Sequence, residues 1–475
     1  MKLLFLLAIA VPSCAPGKVV DAGEPAVPTV ASVQVALAAT SLTIGGTTRA
    51  TATVLDARNQ PLSGHTVTWS SDNTSVAAVN DQGTVTAVSS GSAAITATSD
   101  GKSGSAALVV TAAAPPPPPP PPPAASGRWV TGYYVGYQRD LYPEQSIDFT
   151  NLTHITVGRI RPTASGGVIT DFDIDAVTGP AMAKTISARA HTAQRKALLM
   201  IGGEGEHDAF VGAASSANRH AFVLRLLQVL TDLGYDGLDV DWEPINPEDQ
   251  APLLALLTEL RAARPGIILT IPVGWVNTNF PDVEPWYANV APVVDQMNMM
   301  TYEMAGNWGG WDSWHSAALN DAQPTHPTAI SASAAAYKAA GIPAAKIGIG
   351  VPFYGTCWRN VTAPRQTLGA GADVVASDND MSYANIMALY YTAGARKWDA
   401  TAQVPYLSYA TAKGPNLCNF ISYDDEQSIA AKGEFVKSNG YGGAIIWTLG
   451  QGHLLSAPAG QQDPLLKALY TAIAP

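Results

Sequence analysis

Charged side chains are scarce in this sequence: they make up 14% of its 475 residues, where about 25% is usual for a soluble domain. The deficit falls on the cations. With 27 Lys and Arg against 38 Asp and Glu, the formal net charge is −11, and no run of Lys or Arg interrupts the chain. Such a field repels polyanions, which excludes a nucleic-acid partner. Long apolar runs are missing as well. None reaches the about 20 residues that cross a bilayer, so a multi-span membrane protein is excluded. Cysteine is limited to three residues. What the chain has in plenty is apolar residues (47%), glycine (42) and proline (35). Length and apolar content together predict two or three domains, and the proline and glycine predict extensive loops or linkers.

The first residues read as an address rather than as fold. Lys2 precedes a short apolar run from Leu3 to Val11, and Cys14 follows Val11-Pro12-Ser13. An apolar and a small residue before a cysteine resemble the lipobox of bacterial lipoproteins, although Pro12 stands where a small residue is usual. The resemblance implies a signal peptide over 1–14, lipidation of Cys14, a tether over 15–30, and an exported protein, either anchored at the cell surface or outer membrane or secreted. The alternative is an ordinary secretory signal. With Cys14 set aside, Cys357 and Cys418 remain, and in an oxidising compartment they most simply pair; two buried free thiols are the alternative. A disulfide there would close a loop of about 60 residues and add roughly 3–4.5 kcal/mol.

Pro115 through Pro123 is an unbroken proline run. It excludes helix and sheet interior and predicts an extended spacer of roughly 28 Å within a linker over 113–127. Before it, over 31–112, Val/Thr/Ile stretches such as Thr66-Val67-Thr68-Trp69 and Ala94-Ile95-Thr96-Ala97 alternate with turn residues. Period-2 patterning without a helical window predicts a small all-β sandwich. The segment from Val67 to Thr98 resembles bacterial immunoglobulin-like domains of group 2, which implies a stalk or spacer.

Over 128–475 eight apolar runs begin near Val130, His154, Ala197, Gly237, Ile267, Gln296, Lys346 and Ala444. Helix-like segments such as 219–233 and 249–263 separate most of them, which predicts a (β/α)8 TIM barrel. The stretch exceeds the about 250 residues of a plain barrel, and the surplus over about 356–420 predicts a small α+β insertion.

The densest chemical signal is Asp236-Gly237-Leu238-Asp239-Val240-Asp241-Trp242-Glu243. In a strand, Asp239, Asp241 and Glu243 share one face while Leu238, Val240 and Trp242 share the other. Carboxylates pointing into a barrel and ending at the carboxyl end of a strand sit where barrels hold active sites. Crowding predicts at least one carboxyl that keeps its proton near neutrality. A metal centre and a buried acid–Arg cluster are the alternatives; no His lies at a spacing that favours metal, and no metal or organic cofactor is expected. Asp236 has the opposite parity to Asp239 and reads as structural.

The segment D-x-x-D-x-D-x-E resembles the signature of glycoside hydrolase family 18, the chitinases and their relatives. Gly132-Tyr133-Tyr134, the Met299-Met300-Thr301-Tyr302 run, Pro352-Phe353-Tyr354-Gly355 and Gly443-Ala444-Ile445-Ile446-Trp447 extend the likeness over nearly all of 128–475. It implies retaining hydrolysis of β-1,4-linked N-acetylglucosamine assisted by the substrate's own 2-acetamido group, an exception to the two-carboxylate scheme. Glu243 would be the general acid. Asp241 would hold the acetamido N–H, Asp239 would share a proton with Asp241, and Tyr302 would bond the acetamido carbonyl. Trp447 would floor the reacting sugar, with Glu303, Met300, Tyr133, Tyr354, Trp308 and Trp311 also among the substrate-binding residues; Trp314 shares the last loop. Three departures stand out: Glu303 where Asp is usual, Met200 where a Ser hydroxyl would meet Asp239, and Glu204 where many relatives have Trp. The expected partner is chitin or its oligosaccharides, bound by a monomer that meets a membrane only through a lipid anchor. Rival readings are an endo-β-N-acetylglucosaminidase acting on N-glycan cores and a catalytically weak chitin-binding lectin.

Overall fold

A computed structural model describes residues 29–111 and 127–474. The expected signal peptide, Cys14, most of the tether and the proline run lie outside the described residues. The chain divides into two units.

The first unit is all β. One four-stranded sheet has the order Ser32–Leu37, Thr47–Leu55, Thr84–Ala87, Ala77–Val79; the other has the order Ser41–Thr43, Lys102–Thr111, Gly91–Ser99, Thr68–Ser71. Alternation along Gly91–Ser99 buries Ala93, Ile95 and Ala97 and turns the intervening residues outward. Ala93 and Ile95 meet Val85, Ala87, Leu108 and Val110 in a core of mostly small apolar groups, and Ala97 packs with Val33 and Val54, as the period-2 pattern requires.

The second unit is a closed barrel of eight parallel strands: β1 (Trp129–Val135), β2 (His154–Pro162), β3 (Lys196–Gly202), β4 (Gly237–Asp241), β5 (Ile268–Val273), β6 (Gln296–Met299), β7 (Ile347–Pro352) and β8 (Gly443–Trp447). Closure is made by β1, which pairs with both β8 and β2. Helices such as Thr178–Thr192, Arg219–Leu233, Gln250–Ala263 and Glu426–Ser438 cross between strands. The helix Arg219–Leu233 ends on Gly234, whose φ of 75° suits a left-handed C-terminal cap. It delivers the chain directly into β4. Buried on both faces, β4 has no exposed residue, as expected of a parallel strand covered on both sides.

Between β7 and β8 a five-stranded sheet is inserted, in the order Asp373–Ala376, Thr356–Arg359, Cys418–Ser422, Val404–Lys413, Arg396–Asp399. It begins where the surplus was expected and runs two residues beyond 420. A Cys357–Cys418 disulfide joins its first strand to the strand that returns toward the barrel. The insertion has its own core around Trp358 and Phe420, to which Trp314 belongs.

Candidate active site

The strand geometry builds the site from below. Register places Asp239 opposite Met200 on β3 and opposite Thr270 on β5. Adjacent residues of parallel strands point the same way, so the Thr270 side chain shares the barrel interior with Asp239. Asp239 is fully buried. Its Oδ2 accepts from the Tyr133 hydroxyl at 2.7 Å, and its Oδ1 accepts from the Thr270 hydroxyl. Burial pushes this carboxyl up from 3.8 to about 6, against the pull of the two hydroxyl donors.

Two residues on, Asp241 ends β4. The turn after β3 closes against it: Gly203 donates its N–H to the Asp241 carbonyl at 2.8 Å. At Gly202, φ is 101° and a Cβ would meet that carbonyl oxygen at 2.3 Å, so only glycine fits. Burial first, and then the Glu243 carboxylate that faces it and shares a hydrogen bond with it, hold Asp241 well above the usual carboxylate range. Burial and the neighbouring carboxylates thus bias Asp241 toward its protonated form. Each Asp239 oxygen accepts one hydroxyl, from Tyr133 and from Thr270, which fixes this carboxyl below Asp241. The hydroxyl missing at Met200 is supplied by Thr270, while Met200 packs with Tyr133, Ile445 and Trp447. Glu243, just past the strand, is half-buried.

Trp242, of opposite parity, faces away and stacks on Phe210 at 4.9 Å between ring centroids. Asp236 serves the start of the strand: its carboxylate accepts from the Ala197 N–H at 2.9 Å and pairs with Lys196 and His191. Its structural reading fits these contacts.

The carboxyl ends of the strands surround a cavity of about 540 Å³. Ten of the residues singled out in the sequence line it: Asp241, Glu243, Tyr302, Trp447, Met300, Glu303, Tyr133, Tyr354, Met200 and Glu204. Although β6 ends at Met299, the inward alternation continues through Met300 to Tyr302. Burial pushes the Tyr302 phenol up, reinforced by the charges of Asp241 and Glu243, so it stays a hydrogen-bond donor. Trp447 tilts against Tyr133 with centroids 5.5 Å apart. Asp239 lies beneath the cavity rather than on its wall.

The loop tryptophans are not among the residues lining this cavity. Trp308 and Trp311 pack edge-to-face at 4.7 Å, with Trp275 beside them, outside the cavity wall. Trp314 is fully buried: its Nε1 donates to the Thr328 carbonyl at 2.9 Å, and the Arg365 guanidinium covers its ring.

Sequence reasoning missed Thr270, Arg159, Asp173 and Asp378. Among the described residues, Arg159 is the only cation on the cavity wall. Its Nε donates to Asp173 at 3.1 Å, and its Nη1 to the Gly202 and Glu204 carbonyls. Among the described residues no group of His, Cys, Asp or Glu is arranged to hold a metal ion.

Comparison with known proteins agrees with this geometry. Residues 130–452 match the model of glycosyl hydrolases family 18, and residues 29–110 match that of the bacterial Ig-like domain, group 2. Chitinase A1 of Niallia circulans is 32% identical over 289 residues, covering 54% of this chain and 40% of that protein. A probable endochitinase of Caenorhabditis elegans is 32% identical over 277 residues, covering 54% of this chain and 44% of that protein. The chain thus spans less than half the length of these two relatives. The Group IV chitinase of Ostrinia furnacalis, solved in complex with allosamidin, superposes with a TM-score of 0.62 at 25% identity, covering 72% of this chain and 98% of that one.

Proposed function

The chain belongs to glycosyl hydrolase family 18, and from that membership we propose that its barrel is a chitinase that cleaves β-1,4 linkages between N-acetylglucosamine units by substrate-assisted, retaining catalysis. One observation carries the reading: Asp239, Asp241 and Glu243 form a column along β4 and its carboxyl end, with Asp241 and Glu243 lining one cavity and Asp239 buried beneath it. Glu243, half-buried at the mouth, is the general acid that protonates the leaving glycosidic oxygen. The 2-acetamido oxygen of the reacting sugar attacks the anomeric carbon as that bond breaks, forming an oxazolinium ion that water then opens. Asp241 holds the acetamido N–H and stabilises the developing positive charge. The Tyr302 hydroxyl donates to the acetamido oxygen, and Trp447 floors the sugar through its apolar face. Asp239, anchored by Tyr133 and Thr270, is a fixed negative charge below Asp241.

The test is Glu243→Gln. Loss of the general acid should lower turnover of N-acetylglucosamine oligomers by about 10²–10⁴ while calorimetric binding persists. Turnover close to wild type would remove Glu243 from this role. Binding without turnover in the wild-type chain would instead favour the lectin reading, and cleavage confined to N-glycan cores would favour the endo-β-N-acetylglucosaminidase. We also propose export as a monomeric, lipid-anchored or secreted protein, which the Cys357–Cys418 disulfide supports.

A further inference from the structure

Six carboxylates line the cavity, namely Asp173, Glu204, Asp241, Glu243, Glu303 and Asp378, and among the described residues a single cation, Arg159, accompanies them. The mechanism uses two of the six. Arg159 neutralises a third, Asp173, and its remaining reach is spent on backbone carbonyls and on Glu206 at 3.8 Å. Glu204, Glu303 and Asp378 are left. Among the described residues none of the three lies within ion-pair distance of a Lys, Arg or His. Among the described residues the Asp378 carboxylate accepts only from Gln451 Nε2, at 2.6 Å. The three arrive from separate elements: the turn after β3, the segment after β6 and the short helical turn Asp378–Met381 of the insertion.

Like charges brought together without a counter-ion oppose one another. Here the charges of Asp378 and Glu204 both act on Glu303, which burial and this repulsion hold above the usual range. A bound cation would relieve that cost. These carboxylates do not converge on one point as metal ligands do, so the field suits cationic groups spread along an extended ligand. A second observation points to a ligand in the same cavity: Asp241 is only 4% exposed, yet among the described residues its Oδ1 receives no hydrogen bond from any amide, hydroxyl or cationic group.

On the chitinase reading above, the extended ligand is a chain of 2-amino sugars, and its natural cation is the 2-ammonium of a unit that has lost its acetyl group. That unit cannot occupy the reacting position, because without an acetamido oxygen no oxazolinium ion can form. We propose that Glu204, Glu303 and Asp378 make the cavity select partially deacetylated chitin, with N-acetylglucosamine at the reacting position and glucosamine at a neighbouring one. Hydrolysis itself is unchanged: one glycosidic bond breaks, Glu243 supplies the proton to the leaving oxygen, and one water is consumed.

The experiment uses the full chain on partially acetylated chitosan of known composition, at low salt and a pH that keeps the amines protonated, with the sugars on both sides of each cut identified by mass spectrometry. N-acetylglucosamine should occupy every new reducing end, and glucosamine should be enriched over its random frequency in an adjacent unit. Glu204→Gln, Glu303→Gln and Asp378→Asn should each lower the preference for glucosamine-flanked over fully acetylated sites by about fivefold, the worth of one partly exposed ion pair. Raising the salt to about 0.5 M should shrink the wild-type preference, as screening demands. Cleavage of fully acetylated oligomers with random flanking units would overturn this proposal and leave the chitinase reading intact. Calorimetry with a fully deacetylated hexamer, which cannot be hydrolysed by this route, decides the matter if turnover fails. Salt-sensitive binding weakened in the three variants supports the acidic wall, and absence of binding overturns it.

Discussion

Replacing Thr270 by Val removes one oxygen and almost no volume, and it isolates what the hydroxyl does for Asp239. Burial lifts the Asp239 carboxyl from 3.8 to about 6, so the folded barrel holds this proton more tightly than the unfolded chain does. The stability this contributes is fully present below about pH 4 and is lost as pH rises to about 6. Above that, an ionised Asp239 costs the fold about 3 kcal/mol, because each tenfold gain in proton affinity on folding is worth about 1.4 kcal/mol. The Thr270 and Tyr133 hydroxyls hold that cost down. A hydrogen bond to a charged group is worth about 1.5–3 kcal/mol, and one to a neutral group about 1. Thr270→Val should therefore destabilise the barrel by about 2 kcal/mol at pH 7.5 and by about 1 at pH 4 or below. The proton affinity of Asp239 should rise about fivefold. Urea unfolding followed by the barrel's tryptophan fluorescence, at both pH values, reads the difference. Equal destabilisation at the two pH values would show that the hydroxyl does not serve the ionised carboxylate, and the electrostatic account of Asp239 would fail.

Asp241→Asn should lower kcat on N-acetylglucosamine oligomers by about 10²-fold or more, the scale set by loss of an electrostatic stabiliser in a closed site; a loss under tenfold would contradict its role. Tyr302→Phe removes a single neutral hydrogen bond and should cost kcat about tenfold, with substrate affinity little changed in steady-state kinetics. Cys357→Ala combined with Cys418→Ala reopens a loop of 61 residues and should lower stability by about 2–4 kcal/mol. Thermal unfolding with and without reductant checks this, since the double variant should be insensitive to reductant while the wild type is not.

Elements with strong periodic signals were legible in the sequence. The helix over 219–233 lies where its apolar spacing and the following glycine put it. The column of carboxylates follows from strand parity alone, because a two-residue repeat leaves no choice of face once the strand is known. Partners supplied by other strands were not legible. Thr270 meets Asp239 only through the register of β4 against β5, and a sequence does not state register between strands some 30 residues apart. Arg159 reads as an ordinary polar residue at the end of a strand. Asp378 reaches the cavity from an insertion whose path no local pattern encodes. In the tryptophan loop, aromatic spacing suits sugar stacking and core packing equally. Trp314 went to the core because Thr328 could accept its indole N–H there.

The central claim is that the substrate's own acetamido group acts as nucleophile while Glu243 supplies the proton. It is tested most directly by following defined N-acetylglucosamine oligomers by NMR during the first turnovers. Shorter oligomers released first as the β-anomer, with no turnover when the reacting unit carries a free amine, are the predicted result. The α-anomer appearing first, or equal cleavage at deacetylated reacting units, would contradict it.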